Sequence, residues 1–182
     1  MNAESKQPVK IGEFEVSCPN CNSAMLVREF KHSIPHYGEV LISVAECSKC
    51  GFRRRDVEVL QTGDPRKITY VVEEPGDENA ILIRSSACKL EIPELGLAVE
   101  PGAYSQGFIT TVEGLILDFI EALDYLCSER DAPLDKCKEV RATLEKAKDG
   151  RVKYSVVIYD YFGTCGILGR KKAAYEPLTN LS

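Results

Sequence analysis

The sequence predicts a mainly β protein with a small four-cysteine metal module at its front and a pair of helices inserted into a β domain. Three observations predict it. Two Cys-x-x-Cys pairs, Cys18/Cys21 and Cys47/Cys50, bracket 25 residues that hold two strand-like runs. Apolar residues recur at steps of three and four between about 111 and 149, the spacing of a helical face. Runs rich in branched and aromatic residues lie on both sides of that stretch, and such strands need one another to bury their apolar faces.

In chain order, residues 1–13 are polar and expected to be a loose N-terminus. The metal module is expected over 14–62. Inside it, "AMLVREF" and "EVLISVAE" read as strands, with "SIPHYG" between them as a turn marked by Pro35 and Gly38. "FRRRDVEVL" alternates charged and apolar residues from Arg55 to Leu60 and reads as a third strand leaving the module. The β domain is expected over 63–174. "KITYVVEE", "AILIRSSACKLEIPEL" and "LAVEP" read as strands, and "PGDEN" as a turn.

A helical hairpin is expected over 111–149. Leu115, Phe119, Leu123 and Leu126 form one stripe of the first helix, with Thr110 or Thr111 as its cap and Glu113 near its positive end. Asp131 is the expected cap of the second helix, with Pro133 in its first turn. Leu134, Cys137, Val140, Leu144 and Ala147 follow at helical steps, and Asp149-Gly150 is a stop. "KYSVVIYDYFG" and "TCGILG" return to strand. Residues 175–182 are expected to be a poorly ordered tail.

The chain has 182 residues, 44% of them hydrophobic, which is enough for a real core. Its net charge of −5 disfavours a general grip on nucleic acid, which rests on clustered Lys and Arg neutralising phosphates. The N-terminus has no apolar core of signal-peptide length, and no run of about 18 apolar residues occurs. These features predict a soluble, cytoplasmic protein without a membrane partner. In a reducing compartment, paired cysteines bind metal more often than they form disulfides.

Zinc takes four tetrahedral ligands, and thiolates suit it. Two residues between cysteines let one tight turn aim both sulfurs at one ion, and Pro19 and Gly51 fit such turns. Cys18, Cys21, Cys47 and Cys50 are therefore the expected zinc ligands. A complete shell of four thiolates leaves no position for water or substrate, so the ion is expected to be structural. Two alternatives compete. The pairs read as redox-active motifs only in a βαβ context, which is absent here; His32 and His36 lie close enough in sequence to replace a cysteine. Cys88, Cys127, Cys137 and Cys165 sit in apolar contexts and are expected as buried free thiols, with Cys127 and Cys137 able to face each other across the hairpin.

Arg53, Arg54 and Arg55 follow the second pair directly. They read either as a contact for phosphate or an acidic surface, or as a charged strand edge. "GRKK" at 169–172 reads as a solvated end. The sequence holds no P-loop, nucleophile elbow or dinucleotide fingerprint, and no evident acid/base pair. The expectation is a protein that is not an enzyme.

Four separated motifs, "CPNC", "IPHYGEVLISVAECSKCGFRRRDVE", "IPELGLAVEPGAYSQGFITTVEGLI" and "YSVVIYDYFGTCGIL", resemble the ZPR zinc-finger family, whose members bind translation elongation factor 1 alpha. The resemblance covers residues 14 to 168. It implies a ribbon-type C4 finger followed by a double-stranded β-helix, a jelly-roll-like domain, with a helical-hairpin insertion. It implies zinc at Cys18, Cys21, Cys47 and Cys50. Its "IPHYGEV" motif matches Ile34, Pro35, His36, Tyr37, Glu39 and Val40, and "TTVEGLI" matches from Thr110 to Ile116. Eukaryotic members carry the module twice; the single copy here resembles archaeal members. The family's "DPxGNS"-like segment appears here as "DYFGTCG" from Asp160.

The resemblance implies an adaptor or chaperone for elongation factor 1 alpha, with Arg53, Arg54, Arg55, His36 and Tyr37 as expected partner contacts. The alternative is a nucleic-acid-binding ribbon that uses Arg53 to Arg55. The acidic total charge and the lack of interleaved aromatics weaken it.

Overall fold

The computed structural model describes residues 7–34, 37–102 and 105–178. Four antiparallel strands form its front, in spatial order: β1 (Val9–Ser17), β2 (Ala24–Ile34), β3 (Gly38–Glu46) and β4 (Arg53–Val59). Each pairs only with its sequence neighbour. The register sets Val27 beside Ala45 and Ala45 beside Arg54, so one face of the sheet is fixed across three strands. The strand over Val9–Ser17 corrects the expectation of a loose N-terminus to residue 13. A bulge between Lys10 and Gly12 breaks the period-two pattern and hides the strand from a periodicity argument. The same bulge, with Lys10, Glu13 and Glu15, guards a free sheet edge that carries exposed Val9, Ile11, Phe14 and Val16.

The rest of the β structure is two sheets. One has the order β12 (Ala174–Pro177), β5 (Arg66–Val72), β10 (Tyr154–Asp160), β7 (Lys89–Ile92), β8 (Leu97–Val99). The other has β11 (Gly166–Leu168), β6 (Ile81–Arg84) and β9 (Phe108–Thr111). Ile68, Tyr70, Leu82, Leu90, Val156, Ile158 and Ile167 meet between them in one core. β12 corrects the expectation of a poorly ordered tail for residues 175–177. Its backbone pairs with β5, and Tyr175 lies under the Arg66 guanidinium.

The helices sit between β9 and β10. α1 (Val112–Cys127) is capped by Thr111, whose hydroxyl accepts the Gly114 N–H at 2.9 Å. α2 (Leu134–Lys148) has Pro133 at its cap position and no side-chain cap, so Asp131 does not cap it as expected. Val112, Leu115, Ile116, Ile120, Leu144 and Ala147 enter the core. Leu126 and Leu134 are 60% exposed, because the hairpin outruns the core beneath it. Periodicity identifies a face but not where its covering ends.

Two of the expected free thiols face each other at that far end. Cys127 and Cys137 are paired as a disulfide, and so are Cys88 and Cys165. Both pairs correct the expectation of free cysteines. The Cys88/Cys165 pairing is invisible in sequence because the two lie 77 residues apart.

Segment 160–166 carries the seam between the front sheet and the jelly roll. The Gly63 N–H donates to the Phe162 carbonyl at 2.8 Å. Gly166 lies flat against the Tyr37 ring, and a Cβ there would collide with it. On the other side, the Gly107 N–H donates to Asp56 Oδ1 at 2.6 Å, and Arg54 reaches the Ser105 carbonyl.

Candidate metal centre

The two cysteine turns are built alike. In the first, the Cys18 N–H donates to the Ser23 carbonyl at 2.8 Å, and the Asn22 N–H to the Cys18 carbonyl at 2.9 Å. In the second, the Cys47 N–H donates to the Phe52 carbonyl and the Gly51 N–H to the Cys47 carbonyl, both at 2.9 Å. The residue after each second cysteine is left-handed: Asn22 at φ 56° and Gly51 at φ 74°. Asn and Gly are the residues that take this conformation at least cost. The sequence therefore writes the same turn twice, and β2 and β3 bring the two turns together.

The four sulfurs lie within 4.8 Å of one another. Cys18 Sγ is 3.6 Å from Cys50 Sγ, and Cys21 Sγ is 3.6 Å from Cys47 Sγ. A tetrahedron with Zn–S bonds of about 2.3 Å has edges of about 3.8 Å, so the arrangement fits zinc. His32 and His36 are not needed. His32 lies in β2 opposite Val40, well along the strand from the sulfurs, and His36 lies outside the described residues.

Backbone amides prepare the sulfurs for metal. The N–H and hydroxyl of Ser23 pull the Cys21 thiol down to about 6, and the Phe52 N–H lowers Cys50. Burial pushes Cys18 up to about 11, and metal binding at that sulfur releases its proton. Cys18 and Cys47 are buried with Met25 and Ala45, and Cys21, Val27 and Phe52 pack around them.

Residues 10–63 match the ZPR1 zinc-finger domain, and residues 76–179 match the ZPR1 jelly-roll domain. The chain belongs to the ZPR1 family. It is similar to an uncharacterized ZPR1-like protein of Pyrococcus horikoshii, at 33% identity over 98% of this chain and 86% of that protein. A ZPR1-like protein of Methanocaldococcus jannaschii is 32% identical over 85% of this chain and 80% of its own length. A relative from Schizosaccharomyces pombe, named a zinc finger chaperone, is 29% identical over 84% of this chain but only 35% of its own length.

Around this ZPR1 zinc finger, the expected contact residues are not one patch. Arg53 and Arg55 lie on one face of β4 and Arg54 on the other. Arg53 is tied to Glu46 at 2.7 Å. Arg54 is half-buried between Asp56 and the Ser105 carbonyl. Arg55 is exposed, and among the described residues it makes no ion pair. Tyr37 is at the opposite end of β3, roughly 25 Å along the strand at about 3.3 Å per residue. Its hydroxyl is buried, and burial near Asp160 raises its pKa. Tyr37 is thus a seam residue, and the structure does not bring it to the arginines.

Sequence reasoning missed two charged clusters in the jelly-roll domain. Asp160, fully buried, accepts the Thr164 and Cys165 N–H groups at 2.9 Å and Arg66 Nε at 3.2 Å, which closes the 160–165 turn. The "GRKK" run is not a solvated end. Arg170 Nε and Lys171 Nζ each reach Asp77 at 2.7 Å, and Asp77 is fully buried in the "PGDEN" turn. Burial alone would raise the Asp77 carboxyl; Lys171, Arg170 and the Glu73 and Glu74 N–H groups outweigh it and hold the group well below the usual carboxylate range. No sequence spacing signals either cluster, because the partners lie more than 90 residues apart.

Among the described residues no helix is long and apolar enough to cross a membrane.

Proposed function

We propose that this chain is a non-catalytic binding protein that uses its zinc to hold up a recognition surface, and that its partner is translation elongation factor 1 alpha, whose folding it assists in the cytoplasm. The observation that carries this reading is the closed four-cysteine cluster next to exposed Arg55. All four coordination positions are taken by thiolates, which suits a structural ion. The cation beside it has no intramolecular partner among the described residues and is available to an acidic surface. The naming of the Schizosaccharomyces pombe relative as a chaperone supports the same reading.

Calorimetry of the zinc-loaded chain against elongation factor 1 alpha, with GTP or GDP bound, tests it. Saturable binding that Arg55→Glu weakens about tenfold, the scale of a charge contact of about 1.4 kcal/mol, is the expected result. Binding to nucleic acid that falls steeply with salt, with none to the factor in native or refolding form, would point instead to a ribbon that reads phosphates.

A further inference from the structure

The buried pair Cys88/Cys165 sits where chemistry on sulfur would move something. Cys88 closes a tight turn between β6 and β7, its N–H donating to the Ser85 carbonyl at 3.2 Å. Cys165 ends the 160–165 turn, immediately before Gly166. Both are fully buried members of the core, but polar side chains border them on one side. Asp160, Ser85 and Thr164 surround them, and the Ser85 hydroxyl lies 2.9 Å from that of Thr164.

That setting accommodates either redox form. With the sulfurs bonded, Cys165 Sγ still accepts the Ser85 N–H at 3.1 Å. In this bonded form Asp160 Oδ1 lies 3.3 Å from Cys88 Sγ and Ser85 Oγ 3.6 Å from Cys165 Sγ, so each thiol would find an acceptor once the bond opened. Neither thiol would be a buried donor without an acceptor. Among the described residues, the Cys127/Cys137 pair on the hairpin has no such side-chain acceptors. A metal ion suits the cluster less well, because Asp160 already serves three N–H donors.

The turn that Cys165 anchors is also the seat of the zinc ribbon. Phe162 accepts the Gly63 N–H, Gly163 and Cys165 offer carbonyls to Arg66 at 3.3 and 2.9 Å, and Gly166 supports Tyr37. Phe162 is 54% exposed, while both sulfurs are fully buried, so a reagent reaches them when this surface turn opens locally.

We propose that Cys88 and Cys165 form a reversible thiol–disulfide site whose state sets how firmly the zinc ribbon is seated on the jelly roll. The co-reactant is a disulfide of a small or protein thiol. One cysteine thiolate attacks it and releases one thiol; the second cysteine then displaces the other half. The protein gains one S–S bond, and the reagent carries off the two electrons and two protons as two thiols. A dithiol runs the reverse.

The test uses the whole zinc-loaded chain, equilibrated in buffers of reduced and oxidised dithiothreitol. Thiols are trapped by alkylation and mapped by mass spectrometry, zinc is counted, and amide exchange is measured in each state. Alkylation of Cys88 and Cys165 should rise with the reduced fraction while one zinc stays bound. Exchange at 61–65 and 161–168 should quicken at least tenfold, and that of β5 and β10 should not change. The Cys127→Ala/Cys137→Ala variant should keep this response, and Cys88→Ser/Cys165→Ser should lose it. Full alkylation of Cys88 and Cys165 in every buffer would overturn the proposal. So would equal exchange at the seam in both states, or loss of zinc in step with reduction. The wild-type measurements decide the matter even if the serine variant does not fold.

Discussion

Removal of one zinc ligand should unfold the cysteine turns and leave the jelly roll standing. The perturbation is Cys47→Ser. Ordering the two turns, residues 18–23 and 47–52, costs about 18 kcal/mol at about 1.5 kcal/mol per residue. The cluster beneath them buries only Cys18, Met25, Ala45 and Cys47. Their burial returns about 5 kcal/mol. The gap of about 13 kcal/mol falls within the about 10–16 kcal/mol that a structural zinc supplies. Without the ion, the packing beneath the turns falls short of the cost of ordering them. The assay is a zinc count on the purified variant together with amide exchange. The expected result is loss of bound zinc and loss of protection at Asn22, Ser23, Gly51 and Phe52, with β5 and β10 protected as before. Protected turns in a zinc-free variant would refute the reasoning, because packing would then suffice. A variant that keeps full zinc would refute the four-ligand assignment.

Two more predictions concern the jelly roll. Asp77→Ala should cost about 3–5 kcal/mol, because it leaves two cations and two backbone N–H groups without their carboxylate. For a chain of this length that lowers Tm by about 6–20 °C, whereas exposed Lys172→Ala should change it by less than about 2 °C. The Asp77 carboxyl is depressed in the folded state, so its contribution is complete above the unfolded value of about 3.9 and fades as pH falls below it. Urea titrations at pH 7 and pH 3 should therefore show the wild-type advantage shrink; an advantage undiminished at pH 3 would assign it to packing. Gly166→Ala forces the Tyr37 ring to move and should cost about 1–3 kcal/mol. Denaturation of that variant with no loss of stability would show that the seam has slack.

The sequence carried the metal site almost whole, because its information is local. A Cys-x-x-Cys turn is fixed by its own five or six residues, and both copies lie within 33 residues of sequence. The long strands β2, β3, β5 and β10 were legible for a related reason: each keeps its apolar pattern over seven residues or more. Where a pattern was short or broken it failed. β9 has four residues, β1 is bulged, and β12 is four exposed residues, one of them charged and one a proline. Contacts between distant segments were not legible at all. Nothing in "DYFGTCG" announces that Asp160 will hold Arg66 or that Cys165 will meet Cys88. Nothing in "FRRRD" shows that Arg54 faces away from its two neighbours, because the alternation of a strand matters only once its two sides are known.

The strand pairings also set an order of assembly. Every pairing in the zinc ribbon joins sequence neighbours, so that unit has all its parts as soon as residue 59 has left the ribosome. The larger jelly-roll sheet is different. Between them β10 and β12 flank β5 on both sides, and Arg66 waits 94 residues for Asp160. Through that interval β5 has two open edges, and the loop that must close is long. The growing chain thus presents a finished, metal-clasped front and an unfinished back. The 160–166 turn docks the front late, and β12 then closes the last open edge of β5.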